Sequence, residues 1–352
     1  MAARKKVLAA MSGGVDSSVA ALVLVEAGHE VAGATMSLDV PARRRDADAA
    51  SDAKQVCNRL GIAHFVFDFA ALMQERVIGK FTAEYLQGRT PNPCVDCNRH
   101  LKFGKLLQKA RAMGFDYLAT GHYARLENEK GTWHLLRPQD TIKDQTYFLY
   151  PIRKEDLSSI LFPLGELPKN EVRTLAKKAG LPVAQKAESQ DICFVTQENY
   201  GQYFQEKNIS APAGEIVDKA GKVLGKHRGV IYYTIGQRGG LGISAKTPLY
   251  VVEINAEKNK VIVGEKKDLF SIGLIAGDVN LLTDDLPVEI EAKIRYRKKP
   301  ARCSVIREGE KLRVIFKEPQ ESITPGQSVV LYRDDELLGG GEIEAVIRDG
   351  KR

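Results

Sequence analysis

The sequence predicts an α/β fold: an N-terminal parallel sheet, then a small β-rich central part, then a C-terminal antiparallel β-barrel. Three observations predict it. Short apolar runs alternate with helix-length segments from Lys6 to Thr120, the pattern of strands joined by crossover helices. A glycine- and serine-rich stretch, Ser12 to Ser18, stands between the first strand and the first helix. Beyond about residue 203 the period changes from helical to alternating, with short strands and turn residues between them.

The elements follow in order. Lys6–Met11 (KVLAAM) reads as a short buried strand and Asp16–Ala27 as a helix apolar nearly all round. A strand at His29–Met36, a helix at Asp48–Leu60 stopped by Gly61, and a strand at Ala63–Phe69 continue the alternation. Helices near 71–86 and 100–112 precede a strand at Tyr117–Thr120. In such a sheet the residues after Met11, Met36 and Thr120 converge beyond the carboxyl ends of the strands, where ligands bind. Gly214–His227 and Tyr250–Val263 read as hairpins. Over 288–297, Val288, Ile290, Ala292, Ile294 and Tyr296 alternate with Glu289, Glu291, Lys293, Arg295 and Arg297, one set facing in and the other out. Leu312, Val314 and Phe316 repeat the pattern. The expected domains are 1–203, 204–277 and 278–352.

Composition narrows the class. The chain has 352 residues, 43% hydrophobic and 28% charged, a globular balance. The formal charge of +7 fits a polyanion partner or an ordinary solvated surface. Five cysteines are too few and too scattered for a disulfide framework. The longest apolar run, Val19–Val25, is closed by Glu26, so no membrane-spanning helix is expected. The N-terminal apolar stretch is too short for a signal peptide, and a cytoplasmic location is expected.

Met11-Ser12-Gly13-Gly14-Val15-Asp16-Ser17-Ser18 has the chemistry of a phosphate loop. Two glycines admit close approach of an anion, the helix N-terminus offers free N–H groups, and the serines add hydroxyl donors. Asp16 fits the first helical turn or a magnesium ligand. The spacing matches neither the Walker loop nor the dinucleotide fingerprint. The stretch resembles the PP-loop of the ATP pyrophosphatases, which cleave ATP between the α and β phosphates to adenylate a substrate. That resemblance leaves amidation, argininosuccinate synthesis, lysidine formation and tRNA thiolation open.

The cysteines narrow the class further. Cys94 and Cys97 form a C-x-x-C in a rigid, proline-punctuated extended loop, and Cys193 lies in Ser189–Val195 (SQDICFV). An adenylated carbonyl oxygen needs a nucleophile to displace it, and a thiolate or persulfide is a strong one. GRTPNPCVDCNRHLKFG (88–104), ATGHYAR (119–125), KDQTYFLY (143–150), SQDICFV, YTIGQRGGLGI (233–243) and the tail from Pro325-Gly326-Gln327 to Gly341 occur in order. On these motifs the chain resembles the bacterial tRNA-specific 2-thiouridylases, the MnmA family, over almost its whole length.

The resemblance implies ATP-dependent 2-thiolation of a wobble uridine in tRNA, with a cysteine desulfurase or sulfur-relay protein as sulfur donor. Ala10, Met11, Ser12, Gly13, Gly14, Val15, Asp16 and Ser17, with Met36 and Gly121, would hold ATP and magnesium. Cys193 would carry persulfide sulfur, and Cys97 would resolve it, closing a Cys97–Cys193 disulfide. Asn92, Pro93 and Cys94 would line the pocket for the flipped uridine. Lys143, Asp144 and Gln145, with Arg295 and Tyr296 on the barrel, would contact tRNA. His122 and Gln327 would help select it.

One position departs from the family pattern. Cys94 stands where the pattern has an Asp with an acid/base role. Cys94, Cys97 and Cys193 could instead hold a [4Fe-4S] cluster with one open iron, or zinc with His100 as fourth ligand. Ligand spacing alone does not separate cluster from persulfide. Cys57 and Cys303 read as small core residues, and Arg43–Arg45 as a solvated loop.

Overall fold

The computed structural model describes residues 4–40, 46–187, 192–195 and 200–348. The chain divides into two compact units. Unit 1 comprises residues 1–77, 94–194 and 335–337, and unit 2 comprises 78–93, 195–334 and 338–352. Strands are numbered in chain order.

Unit 1 holds the parallel sheet. Its strands are β1 (Lys6–Ala10), β2 (Glu30–Ser37), β3 (Ala63–Asp68) and β4 (Tyr117–Ala119); a hairpin of β5 (Arg125–Glu129) and β6 (Thr132–Leu136) precedes β7 (Ile160–Leu161). The sheet order is β3-β2-β1-β4-β7, all pairs parallel. Central β1 is fully apolar from Val7 to Ala9 because both of its faces are covered. The helix Val15–Glu26 buries Val15, Ser17, Ser18, Val19, Ala20, Ala21, Leu22 and Leu24, which is why its sequence shows no polar face. The helices Asp46–Leu60 and Lys169–Lys178 pack residues such as Val56 and Val172 into the same core. The strands expected for the sheet and the first two helices are present within two residues of the expected bounds.

One local expectation is corrected. The segment carrying Cys94 and Cys97 is helical: an α-turn Pro93–Asp96 runs into a π-helical stretch Cys97–Leu106. Pro93 sits at the first helical position, where its missing N–H costs nothing and its fixed φ favours the turn. Asp96 is buried rather than facing out of an extended loop. The wide turn closes on Gly104, where an added Cβ would stand 2.7 Å from the Arg99 carbonyl oxygen.

Unit 2 holds two β structures. A four-stranded sheet, ordered β10-β11-β8-β9, is built from β8 (Gly214–Asp218), β9 (Val223–His227), β10 (Tyr250–Asn255) and β11 (Lys260–Gly264). Both expected hairpins are there, linked by a parallel β11–β8 pairing. The six strands β12 (Phe270–Leu281), β13 (Glu289–Lys293), β14 (Ala301–Glu308), β15 (Lys311–Glu321), β16 (Ser328–Arg333) and β17 (Glu336–Ile347) close into an antiparallel barrel through β12–β17 pairing. Leu274, Ile290, Val314, Phe316, Leu331 and Ile343 fill it. The regular alternation expected over 288–297 ends early: β13 stops at Lys293, which is buried, and a turn follows. Residues 78–93 belong to this unit, where Phe81 and Tyr85 pack with Tyr203 and Phe204.

Cys57 and Cys303 are both fully buried, as the small-core reading expects. Burial pushes their thiols up to about 11 and about 12 respectively. Arg43–Arg45 lie outside the described residues. Leu118 is fully buried in β4 between β1 and β7, so Leu118→Ala should cost about 2–5 kcal/mol by urea unfolding, mostly as cavity and lost transfer energy. A cost under about 1 kcal/mol would show that the sheet is not the core it is taken to be.

Candidate nucleotide and thiol site

The phosphate loop is built by backbone geometry. Gly13 lies at φ +68°, and a Cβ there would stand 2.6 Å from the Ala49 carbonyl oxygen, so glycine is required twice over. Gly14 is the N-cap of the helix Val15–Glu26 in extended conformation. Ser17 and Ser18 turn their hydroxyls back onto the Gly14 carbonyl at 3.1 and 2.8 Å, while the Ser12 amide donates to Ser17 Oγ at 3.2 Å. The loop is held by its own side chains in an anion-binding shape. Met11 is anchored at both ends, its N–H on the Ala34 carbonyl at 2.7 Å and its carbonyl accepting from Thr35 Oγ1 at 3.0 Å. A Cβ on Gly121 would be 2.7 Å from Ser17 N, so the turn after β4 lies against the start of the helix, as the strand order requires. Ala10, Val15 and Met36 belong to the same strand ends and helix start.

Two lysines that sequence reasoning missed reach this loop. Lys169 Nζ donates to both oxygens of Asp16 at 2.6 and 2.8 Å, and Tyr123 donates its hydroxyl to the same carboxylate at 2.9 Å. Lys186 Nζ donates to the Gly13 carbonyl at 2.9 Å and to Asp52 at 2.6 Å. Cation and helix N-terminus together favour an anion. Both carboxylate oxygens of Asp16, the expected magnesium ligand, hold the Lys169 ammonium in this arrangement. Tyr123 lies in a motif legible in the sequence; Lys169, at the first position of its helix, carried no signal beyond its charge.

Cys94 and Cys97 lie three residues apart at the start of one helix, a spacing that puts both on one side. Solvent reaches Cys94, yet dense surrounding protein and the neighbouring Cys97 push its thiol up to about 11. The Lys102 ammonium opposes that shift, and Asp96 adds to it. Cys94 is therefore a protonated thiol near neutral pH. The same Lys102 reaches His122 Nε2 at 3.3 Å, and Thr120 Oγ1 meets His122 Nδ1 at 2.8 Å. A lysine only donates, so Nε2 is the acceptor and Nδ1 carries the proton. Burial and Lys102 hold the His122 pKa well below its ordinary value, so the ring is neutral. Phe103 and Phe162 flank it.

Cys193 belongs to the same unit and is half-buried. Its preceding Ser189, Gln190 and Asp191 lie outside the described residues. Among the described residues, no three His, Cys, Asp or Glu side chains are placed to hold a metal.

The residues expected to meet RNA divide sharply. Asp144 is buried, accepting from the Thr146 amide at 2.9 Å and the Thr146 hydroxyl at 2.5 Å. Gln145 Oε1 accepts from the Tyr123 amide at 2.9 Å, placing the ring that reaches Asp16. Lys143 is half-exposed beside Ile142, which is 89% exposed. In unit 2, Arg295 Nη2 donates to the Ile235 carbonyl at 3.0 Å and to Thr324 Oγ1 at 2.5 Å. Tyr296 stacks under Lys293 Nζ at 5.4 Å. Gln327 Nε2 donates to the Thr90 carbonyl at 2.8 Å, and Asn92 is half-buried while Pro93 is buried. Of the basic residues at 295–299, Arg297 and Lys299 are exposed, while Arg295 and Lys298 are half-buried.

The sheet order, the phosphate loop and its flanking lysines define an α/β protein of the PP-loop, ATP-using class. Family models described as the HUP domain and the PRC-barrel domain of tRNA methyl transferases match residues 5–197 and 202–265, and one described as the aminomethyltransferase β-barrel domain matches 271–343. The chain belongs to the MnmA family of tRNA-specific 2-thiouridylases. It is 54% identical to tRNA-specific 2-thiouridylase MnmA 1 of Syntrophus aciditrophicus over 98% of this chain and 94% of that one. It is 50% identical to the MnmA of Carboxydothermus hydrogenoformans over 97% and 98% respectively. A solved structure of the U34-tRNA thiolase NcsA from Methanococcus maripaludis, with its [4Fe-4S] cluster, matches at 17% identity and TM-score 0.36, covering 58% of this chain and 66% of that one. At that distance the likeness carries no argument about a cluster here.

The Lys102 charge gives a test of these electrostatics. Alkylation of Cys94 by iodoacetamide, mapped by peptide mass spectrometry, should show a midpoint near pH 11. Lys102→Met removes the one charge that lowers the pKa and should move the midpoint upward. A midpoint at or below the ordinary thiol value near about 8.5 would contradict the placement of Cys94.

Proposed function

We propose that the chain is an ATP-dependent tRNA sulfurtransferase that thiolates the wobble uridine at C2. The observation that carries this reading is an anion cradle and three solvent-reachable thiols in one unit of a chain that matches its family from end to end. The cradle from Ser12 to Ser17 suits the phosphates of ATP, with Lys169 and Lys186 supplying cations beside it.

The reaction proceeds in two displacements. The uridine leaves the anticodon stack so that its C2 oxygen can reach the nucleotide. That oxygen attacks the α-phosphorus, the bond to the β-phosphate oxygen breaks, and pyrophosphate leaves. The terminal sulfur of a Cys193 persulfide then attacks C2, and AMP departs with the former C2 oxygen. The Cys97 thiolate attacks Cys193 Sγ, which frees 2-thiouridine and leaves a Cys97–Cys193 disulfide for an external thiol to reduce. The sulfane sulfur itself comes from a persulfide-bearing donor protein.

Cys94 does not replace the acidic residue of the family pattern as a base. A thiol held near 11 keeps its proton under neutral conditions, and it offers the substrate only a weak S–H donor and a weak sulfur acceptor. Arg297 and Lys299 on unit 2 are exposed and Lys143 on unit 1 is half-exposed, and these cations suit contacts to RNA phosphates.

Incubating the protein with ATP, tRNA and a persulfide donor, then digesting the tRNA, tests the reading. Wild-type chain should yield 2-thiouridine, and Cys193→Ser should yield none while tRNA affinity stays within about twofold, since the change touches no phosphate contact. Thiolation surviving in Cys193→Ser would refute the persulfide route.

A further inference from the structure

The stretch Tyr233–Ile243 (YTIGQRGGLGI) and the residues after it to Leu249 take no part in the nucleotide and thiol chemistry. From Gly236 they form a loop of unit 2 that leads into β10. The loop is fastened at its root and through its apolar side chains. Gln237 Oε1 accepts from the Thr234 amide at 3.1 Å, and Gln237 Nε2 donates to the Gly239 carbonyl at 2.9 Å. Leu241 is buried among Ile216, Val251 and Val261, and Ile243 and Leu249 pack against the same core. Between those anchors Arg238, Gly240, Gly242, Ser244 and Lys246 are exposed.

Backbone and charge both select an anion here. Gly240 and Gly242 lie at φ +73° and +65° with Leu241 between them outside the left-handed region, and alternation of that kind gathers successive N–H groups into an anion-binding concavity. Among the described residues, the backbone N–H groups from Arg238 to Leu249 donate to no protein acceptor, and neither Arg238 nor Lys246 is ion-paired. Both cations line an open cleft of about 440 Å³ that no carboxylate lines. A phosphate oxygen accepts from guanidinium, ammonium and backbone amide alike, and an RNA strand repeats that charge along its length. We propose that the loop 236–249 is a phosphate-binding surface for tRNA, with Arg238 and Lys246 meeting backbone phosphates beside the open amides of Gly240 to Gly242. In naming tRNA the proposal rests on the sulfurtransferase reading. The loop supplies affinity and orientation, not chemistry.

Salt dependence separates a phosphate contact from a structural residue. Filter binding of tRNA to the whole chain over a series of salt concentrations gives log affinity against log salt. Arg238→Ala and Lys246→Ala should each lower the steepness of that line by about 1. The double variant should lower it by about 2 and weaken binding on the order of tenfold at about 0.1 M salt. Arg238→Lys keeps the charge and should keep the slope. Single-turnover 2-thiouridine formation at saturating tRNA should stay within about twofold in all of them, because a contact shared by ground and transition states leaves the bound complex's rate unchanged. The urea midpoint of the double variant should match wild type, as expected when only exposed side chains are shortened. An unchanged salt slope in the double variant would overturn the proposal. So would unchanged tRNA binding with slower sulfur loading from the persulfide-bearing donor, which would make the loop a protein-docking surface. If wild-type chain binds tRNA but forms no 2-thiouridine, the functional reading fails while the slope still decides the loop; if it binds no tRNA, both fail.

Discussion

The site depends on one constraint: the left-handed turn at Gly13 pressed against the Ala49 carbonyl. No L side chain fits there in conformation or in space. The turn brings the chain off the buried end of β1 and straight into the helix Val15–Glu26, whose first N–H groups have no intrahelical acceptors. Everything around the loop preserves that shape. Ser17 and Ser18 satisfy the Gly14 carbonyl, Lys186 satisfies that of Gly13, and Asp16 is tied to Lys169 and Tyr123. The amides are left as the loop's outward chemistry, and an ATP polyphosphate suits them.

Thiol chemistry is organised by a second helix start. Pro93 opens a helix that carries Cys94 and Cys97 on its first turns, and Lys102 lies farther along it with His122 as its acceptor. A neutral imidazole beside an ammonium is a stable pairing, because protonating His122 would set two cations together in a desolvated place. The Lys102 ammonium stands in reach of Cys94 and lowers its pKa. The Cys94 thiol is nonetheless pushed up to about 11.

Much of the fold was legible. The parallel sheet showed through alternating periods, and the phosphate loop through glycines and serines at a strand–helix junction. The barrel showed through β-period alternation, but the alternation misled at its end. Lys293 reads as outward from Ile290 and Ala292, whereas β13 stops there and the lysine lies buried over Tyr296. The hairpin Arg125–Leu136 went unread because it is polar and half exposed, with little apolar periodicity to report it. Motif membership found residues but not their packing: Asp144, Gln145, Arg295 and Gln327 each make hydrogen bonds within their own chain that the motifs do not announce. Lys169 and Lys186, which meet the phosphate loop from distant positions, are indistinguishable in sequence from solvated lysines.

The central claim is that ATP activates the C2 oxygen of uridine before sulfur arrives. That claim is tested most directly by the fate of the oxygen. Substrate tRNA carrying oxygen-18 at C2 of the wobble uridine, turned over once with ATP and a persulfide donor, should yield AMP bearing the label, read by mass spectrometry. Unlabelled AMP formed alongside 2-thiouridine would contradict the account.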